Sequence, residues 1–184
     1  GVLHDGDTFL AKKYELMRLP SLREFKPNKH ISNVDGGVIC VDPALNEQRL
    51  PFQNETGHFL QQIYGNGTEL LSEKTCTIGK LEHALKNKTE KAFLHIGAHG
   101  HFYDKDPMKS GIALLSEDGS RVDFWDAEAI ATNNLDNFHL VTLSSCETGI
   151  VDTGVYRDTF GIIRALFYAG ADNIVAPLWS VQAK

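Results

Sequence analysis

FLHIGAHGHF, residues 93–102, joins a short apolar run to a segment that carries two histidines among small residues. The run itself, AFLHI at residues 92–96, is typical of a buried strand, and Gly97 and Ala98 mark its end. Strands that are apolar throughout are typical of a parallel sheet covered on both faces. Runs of the same character occur as GVICV at residues 37–41, FHLVTL at residues 138–143 and NIVAPL at residues 173–178.

Amphipathic segments between these runs predict helices. One covers residues 55–64 with Asn54 as N-cap and Gly65 as stop, and another begins at a cap supplied by Thr75 or Thr77. A mainly parallel sheet with helices on both faces, in one α/β domain, is therefore expected. The other predicted elements are a strand or hairpin at 7–16, a turn or short helix at 20–25, a loop at 26–36, a strand at 68–71, a hairpin of 111–115 and 121–124 around Asp118-Gly119, and helices at 126–132 and 159–169.

Composition excludes several classes of function. The 184 residues suffice for one sizeable core, and 18 Lys and Arg against 24 Asp and Glu give a net charge of −6. The basic residues are dispersed, which disfavours binding to nucleic acid or to an anionic membrane. We expect a cytoplasmic protein, because there is no signal peptide, no membrane-spanning stretch and no disulfide framework among Cys40, Cys76 and Cys146. Neither a metal nor a cofactor is predicted.

Two residues lie where an α/β sheet places its chemistry. Ligand sites gather at the carboxyl ends of parallel strands, and His99 and Cys146 each follow such an end. His95 lies within a strand and is expected to be a core residue, and His101 is expected to be a loop side chain. A buried apolar thiol is the alternative for Cys146, because most cysteines are buried. Spacing alone leaves the Cys–His pair and this alternative open.

Six segments together resemble the CHAT domain, a caspase-like branch of the clan CD cysteine peptidases. The resemblance covers nearly the whole chain, and the ordered set is far more specific than any one segment. The segments are HDGDTFLAKKYELMRLPSL, RLPFQNE, LHIGAHGHF, SGIALLSEDG, LVTLSSCETG and FGIIRALFYAGADNIVAPLWSV.

The resemblance implies a caspase-like three-layer sandwich over residues 1–184, with a mostly parallel central sheet flanked by helices. It assigns the catalytic histidine to His99 and the nucleophile to Cys146, with no third catalytic residue. It also implies that the main-chain amides of Gly100 and Cys146 form the oxyanion hole. Acidic residues near the cleft of related peptidases select a basic residue before the scissile bond. Glu147 and Asp152 are candidates for that role, against the alternative of solvated loop carboxylates.

Trp179 lines the cleft floor or covers the core, and the sequence does not separate the two. The family's usual C-terminal helices would follow Lys184, so the chain is expected to be a fragment or the large piece of a cleaved, two-part molecule. CHAT domains are commonly fused to helical repeats such as TPRs, and family members act in bacterial defence as CRISPR-associated or gasdermin-activating proteases. The implied partners are a protein substrate and a regulatory protein or upstream repeat domain.

The implied function is a regulated cysteine endopeptidase. The alternative from a different class is a catalytically silent CHAT-fold scaffold that binds a partner, and the retention of His99 and Cys146 argues against it. A nucleotide-binding domain is excluded, because GAHGHF supplies neither GxGxxG nor a P-loop lysine.

Overall fold

A computed structural model of the chain describes residues 4, 6–14, 34, 36–44, 49–101, 103, 105–145 and 160–177. Within these residues the chain alternates between strands and helices, as the sequence predicts. The strands are β1 (Gly37–Pro43), β2 (Thr68–Glu73), β3 (Ala92–Gly97), β4 (Gly100–His101), β5 (Gly111–Leu115), β6 (Val122–Asp126), β7 (Phe138–Leu143) and β8 (Ile174–Val175). The helices are α1 (Pro51–Tyr64), α2 (Ile78–Lys86), α3 (Ala127–Ala131) and α4 (Phe160–Tyr168).

Five strands form a parallel sheet in the order β2-β1-β3-β7-β8. The chain moves from β1 outward to β2, then crosses to the opposite side of β1 for β3, β7 and β8. The order therefore reverses between β1 and β3, and such a switch point leaves a crevice at the carboxyl ends of the two strands. The predicted α/β class with a mostly parallel central sheet is confirmed.

Side chains of the sheet alternate between two apolar clusters, one on each face. Val38 and Cys40 of β1 pack on one face with residues from α2, α3 and α4, which makes this the larger part of the core. Ile39 and Val41 point to the other face, where they meet Leu60 of α1. The sheet consequently has helices on both faces, with α1 on the smaller side.

Helix α1 lies close to the sheet because a glycine faces it. A Cβ at Gly57 would lie 2.6 Å from a methyl group of Val41. The helix begins at Pro51, four residues before the predicted start, since proline at the first helical position has no amide to leave unsatisfied. Asn54 is therefore inside the helix and is not its cap, which corrects the prediction. The predicted stop at Gly65, where φ is +69°, is confirmed.

A second, antiparallel sheet contains β4, β5 and β6. β5 and β6 form the predicted hairpin, with Gly119 at φ +70° in its turn. Of the two threonines proposed to cap α2, Thr77 accepts a hydrogen bond from the Lys80 amide at 3.2 Å and is the cap. The short helix expected at residues 126–132 and the helix expected at residues 159–169 are present as α3 and α4.

Four predictions for the remaining elements turn out shorter or untested. In place of the strand or hairpin expected at residues 7–16, the described residues show a bridge between His4 and Phe9 and then a 3-10 helix at Leu10–Lys12. Within the described part of the last predicted strand, Ile174–Val175 form β8. Residues 20–25 lie outside the described residues, and so does the predicted loop at 26–36 except for residues 34 and 36.

Candidate active site

The candidate site lies at the carboxyl edge of the parallel sheet, beside the crevice between β1 and β3. At this edge β1 ends in Asp42 and Pro43, β3 leads to His99, and β7 leads to Ser144. β3 and β7 are direct neighbours, with Ile96 opposite Leu143 in the register. Side chains that follow these two strands therefore emerge side by side.

The backbone of His99 lies where β3 of the parallel sheet leads into β4 of the antiparallel sheet. It follows β3, and its carbonyl oxygen accepts a hydrogen bond from the Ala113 amide at 2.8 Å. The next residue, Gly100, is the first residue of β4 and pairs with Ile112. The His99 side chain is half-buried. The backbone of His99 is thus fixed between two sheets, at the strand exit where the sequence predicts it.

Gly97 is needed at the end of β3 for its small size. It does not adopt a positive φ, so conformational freedom is not the reason for glycine here. A Cβ at this position would collide with the side-chain oxygen of Gln53 from α1. Because Gly97 has no side chain, the first turn of α1 packs directly against the end of β3.

Gln53 also reaches the end of β7. Its Nε2 donates a hydrogen bond to the Ser144 hydroxyl at 2.7 Å, and the Ser144 amide donates to the carbonyl of Ile96 at 2.7 Å. One side chain of α1 therefore touches both strands of the candidate site. Sequence reasoning missed Gln53, because no motif or periodicity marks a glutamine in the first turn of a helix.

A buried carboxylate fixes the start of α1. The Asp42 side chain is fully buried, accepts a hydrogen bond from the Leu50 amide at 2.6 Å, and is bound by Arg49 through Nε at 3.1 Å and 3.2 Å and through Nη2 at 2.7 Å. Asp42 has φ +48°, a conformation that aspartate tolerates better than most residues. Arg49 also contacts Glu73, and its hydrogen bonds to both carboxylates raise its pKa. This cluster was also missed from the sequence.

The sequence model of the CHAT domain family matches residues 1–184, the whole chain. The chain is a CHAT domain. CHAT domains are related to the clan CD cysteine peptidases, so the chain is a member of a caspase-like cysteine peptidase family. Its parallel sheet with flanking helices agrees with that fold. No curated protein matches the chain.

The other two histidines of FLHIGAHGHF differ in burial. His95 is 8% exposed, and its Nδ1 lies 2.7 Å from the Thr142 hydroxyl. Burial lowers the pKa of His95 to about 4, so its predicted place in the core is confirmed. His101 is exposed and makes an edge contact with Tyr103. It belongs to β4 instead of a loop, because it continues the antiparallel pairing with β5.

Several predicted site residues of the CHAT domain lie outside the described residues. These are Cys146, Glu147, Asp152 and Trp179. Among the residues that the structure does describe, no group of three or more His, Cys, Asp or Glu side chains could hold a metal ion. In the same part of the chain, no helix is both long enough and apolar enough to cross a membrane.

Proposed function

We propose that this CHAT domain is a cysteine endopeptidase that cleaves a protein substrate with His99 and Cys146 as a dyad. One observation carries the proposal. Ile96 and Leu143 are opposite each other in the register of β3 and β7, His99 comes three residues after Ile96, and Cys146 comes three residues after Leu143. Two residues of the types that cysteine peptidases use thus follow paired positions of adjacent strands.

The proposed reaction needs only these residues and two backbone amides. The Cys146 thiolate attacks the scissile carbonyl, the C–N bond breaks, and His99 protonates the leaving amine. Water then hydrolyses the resulting thioester and frees the thiol. The amides of Gly100 and Cys146 stabilise the oxyanion, which is worth several kcal/mol in such sites. Under this proposal no third residue is catalytic.

The finer assignments rest on the family resemblance. Glu147 and Asp152 select a basic residue before the scissile bond, and Trp179 lines the cleft. A regulatory protein or a fused helical-repeat domain controls the activity in the cytoplasm, and the setting is bacterial defence, of the CRISPR-associated or gasdermin-activating type. No cofactor takes part.

The test uses thiol chemistry, because two of the three cysteines are shielded. Cys40 and Cys76 are 0% exposed, so rapid labelling of the native protein by an electrophilic peptide reports on Cys146. A set of peptidyl chloromethyl ketones that differ in the residue before the ketone is incubated with the chain, and peptide mapping locates the label. We expect labelling at Cys146, fastest with lysine or arginine in that position.

Two variants and a matched control complete the test. Cys146→Ala should abolish labelling, and His99→Ala should slow the cleavage of a matching peptide substrate by about a hundredfold or more, because the leaving amine loses its acid. His101→Ala, an exposed histidine two residues away, should leave both labelling and cleavage unchanged. A wild-type protein whose Cys146 reacts no faster than an ordinary thiol would refute the peptidase and favour the binding scaffold.

A further inference from the structure

The side of α1 that faces the sheet carries a polar residue where packing favours an apolar one. Gln53 points at the sheet, while Phe52, Phe59 and Ile63 of the same helix are 62%, 60% and 57% exposed. Its Oε1 is buried with no hydrogen-bond partner among the described residues. A buried, partly unsatisfied amide lowers stability relative to an apolar residue of the same size. Packing therefore does not explain why the residue at position 53 is a glutamine.

We propose that Gln53 is a positioning residue, which holds Ser144 and through it the segment that leads to Cys146. The inference rests on the proposed function, since it concerns the same reaction. Ser144 is two residues before Cys146, and directly beyond the end of β7 its amide donates a hydrogen bond to the Ile96 carbonyl of β3. The 2.7 Å bond from Gln53 adds a side-chain restraint at this position.

The restraint has a rigid origin. Gln53 is in the first turn of α1, and its amide bonds to the carbonyl of Leu50 at 2.9 Å. The Leu50 amide in turn donates to the buried Asp42 carboxylate at 2.6 Å. The start of the helix is thus tied to the end of β1, and Gln53 transmits that fixed position to the end of β7.

The chemistry of the contact tolerates either orientation of the amide. A hydroxyl both donates and accepts, so Ser144 can bond the nitrogen or the oxygen of Gln53. Whichever amide atom remains lies against Gly97, where a Cβ would displace it. A side chain of this length at position 53 therefore requires glycine at the end of β3.

A polar side-chain contact between β3 and β7 provides a comparison. His95 of β3 and Thr142 of β7 lie 2.7 Å apart, the same distance as Gln53 and Ser144, but two residues further from the strand ends. Both contacts add to the cohesion of the sheet. Only the one at the strand ends is placed to affect the reaction.

The experiment measures the maximal rate of Cys146 labelling and the half-saturating concentration with the best chloromethyl ketone of the set. Gln53→Met keeps the length of the side chain and its packing against Gly97 but loses the bond to Ser144. We expect a maximal rate about fivefold lower at an unchanged half-saturating concentration, the change that loss of one neutral hydrogen bond produces. The melting temperature should stay the same or rise, because an unsatisfied amide is removed.

Coupling and control variants make the result specific. Ser144→Ala should slow the reaction as Gln53→Met does, and the double variant should be no slower than either single one. Thr142→Val should lower the melting temperature, because His95 loses its partner, and leave the maximal rate unchanged. A rate that is unaffected by Gln53→Met, or effects of the two substitutions that multiply, would overturn the positioning role. These outcomes leave the peptidase intact, whereas an unreactive Cys146 in the wild type overturns both.

Discussion

Acidification should destabilise the domain through His95, because the fold keeps this imidazole neutral. Burial lowers the pKa of His95 from 6.5 to about 4, so the unfolded chain accepts a proton that the folded chain resists. Between these values the unfolded state binds more protons, and the free energy of unfolding therefore falls as the pH falls. Well above pH 6.5, His95 is neutral in both the folded and the unfolded state, so the free energy of unfolding is not reduced by its titration. From the two pKa values, the loss amounts to about 2 kcal/mol at pH 5.

The matched variant is His95→Asn, whose amide can still bond the Thr142 hydroxyl but does not titrate. Urea unfolding of both proteins at pH 8 and pH 5, followed by fluorescence of the buried Trp125, gives four free energies of unfolding. The wild type should lose about 2 kcal/mol more than the variant between the two values of pH. Groups that titrate in both proteins cancel in this difference. Equal losses would refute the assignment of His95 as a buried neutral imidazole.

Four further substitutions test the interactions that hold the site and the domain. His95→Gln should lower the free energy of unfolding in urea and leave the labelling rate of Cys146 unchanged; a slower reaction at full stability would contradict its structural role. Asp42→Asn should lower the free energy of unfolding in urea by about 2 kcal/mol, because a buried charge-assisted set of hydrogen bonds is weakened. Glu73→Gln, at a half-exposed carboxylate of the same cluster, should lower it by less. A larger loss for Glu73→Gln than for Asp42→Asn would contradict the dominant role of the buried carboxylate. Thr77→Ala removes the N-cap of α2 and should cost about 1 kcal/mol; no change in the urea midpoint would show that the cap is dispensable.

The strands at the centre of the sheet could be predicted because each is a continuous apolar run. GVICV and AFLHI lie within β1 and β3, and FHLVTL coincides with β7, so the apolar runs alone located the three strands. Their order in space could not be obtained in this way, because nothing local to β1 indicates that β2 and β3 pair on opposite sides of it. Turn chemistry located the β5–β6 hairpin, since the Asp118-Gly119 pair favours a positive φ.

What the sequence did not reveal are contacts between residues that are far apart in the chain. Gln53 and Ser144 are separated by 91 residues, and neither belongs to a pattern that suggests the other. The start of α1 was placed late because Asn54 is a good N-cap type, whereas the real start depends on Pro51 and on the bond from Leu50 to Asp42. The position of His99 at the exit of a strand could be predicted from the sequence. The catalytic roles of His99 and Cys146 stay predictions.

The two faces of the sheet differ in how many buried apolar residues they hold. In the described part of the chain, the face covered by α2, α3 and α4 holds most of the buried apolar residues. Among the described residues, the cluster on the face covered by α1 has three buried members, Ile39, Val41 and Phe93. It also holds Gln53 and His95, each with a buried polar atom that lacks a hydrogen-bond partner in the described structure. Unsatisfied polar atoms cost stability, so apolar substitutions at Gln53 should stabilise the fold while they slow the reaction. The fold tolerates these unsatisfied polar atoms because the larger apolar cluster on the opposite face supplies most of the buried apolar surface.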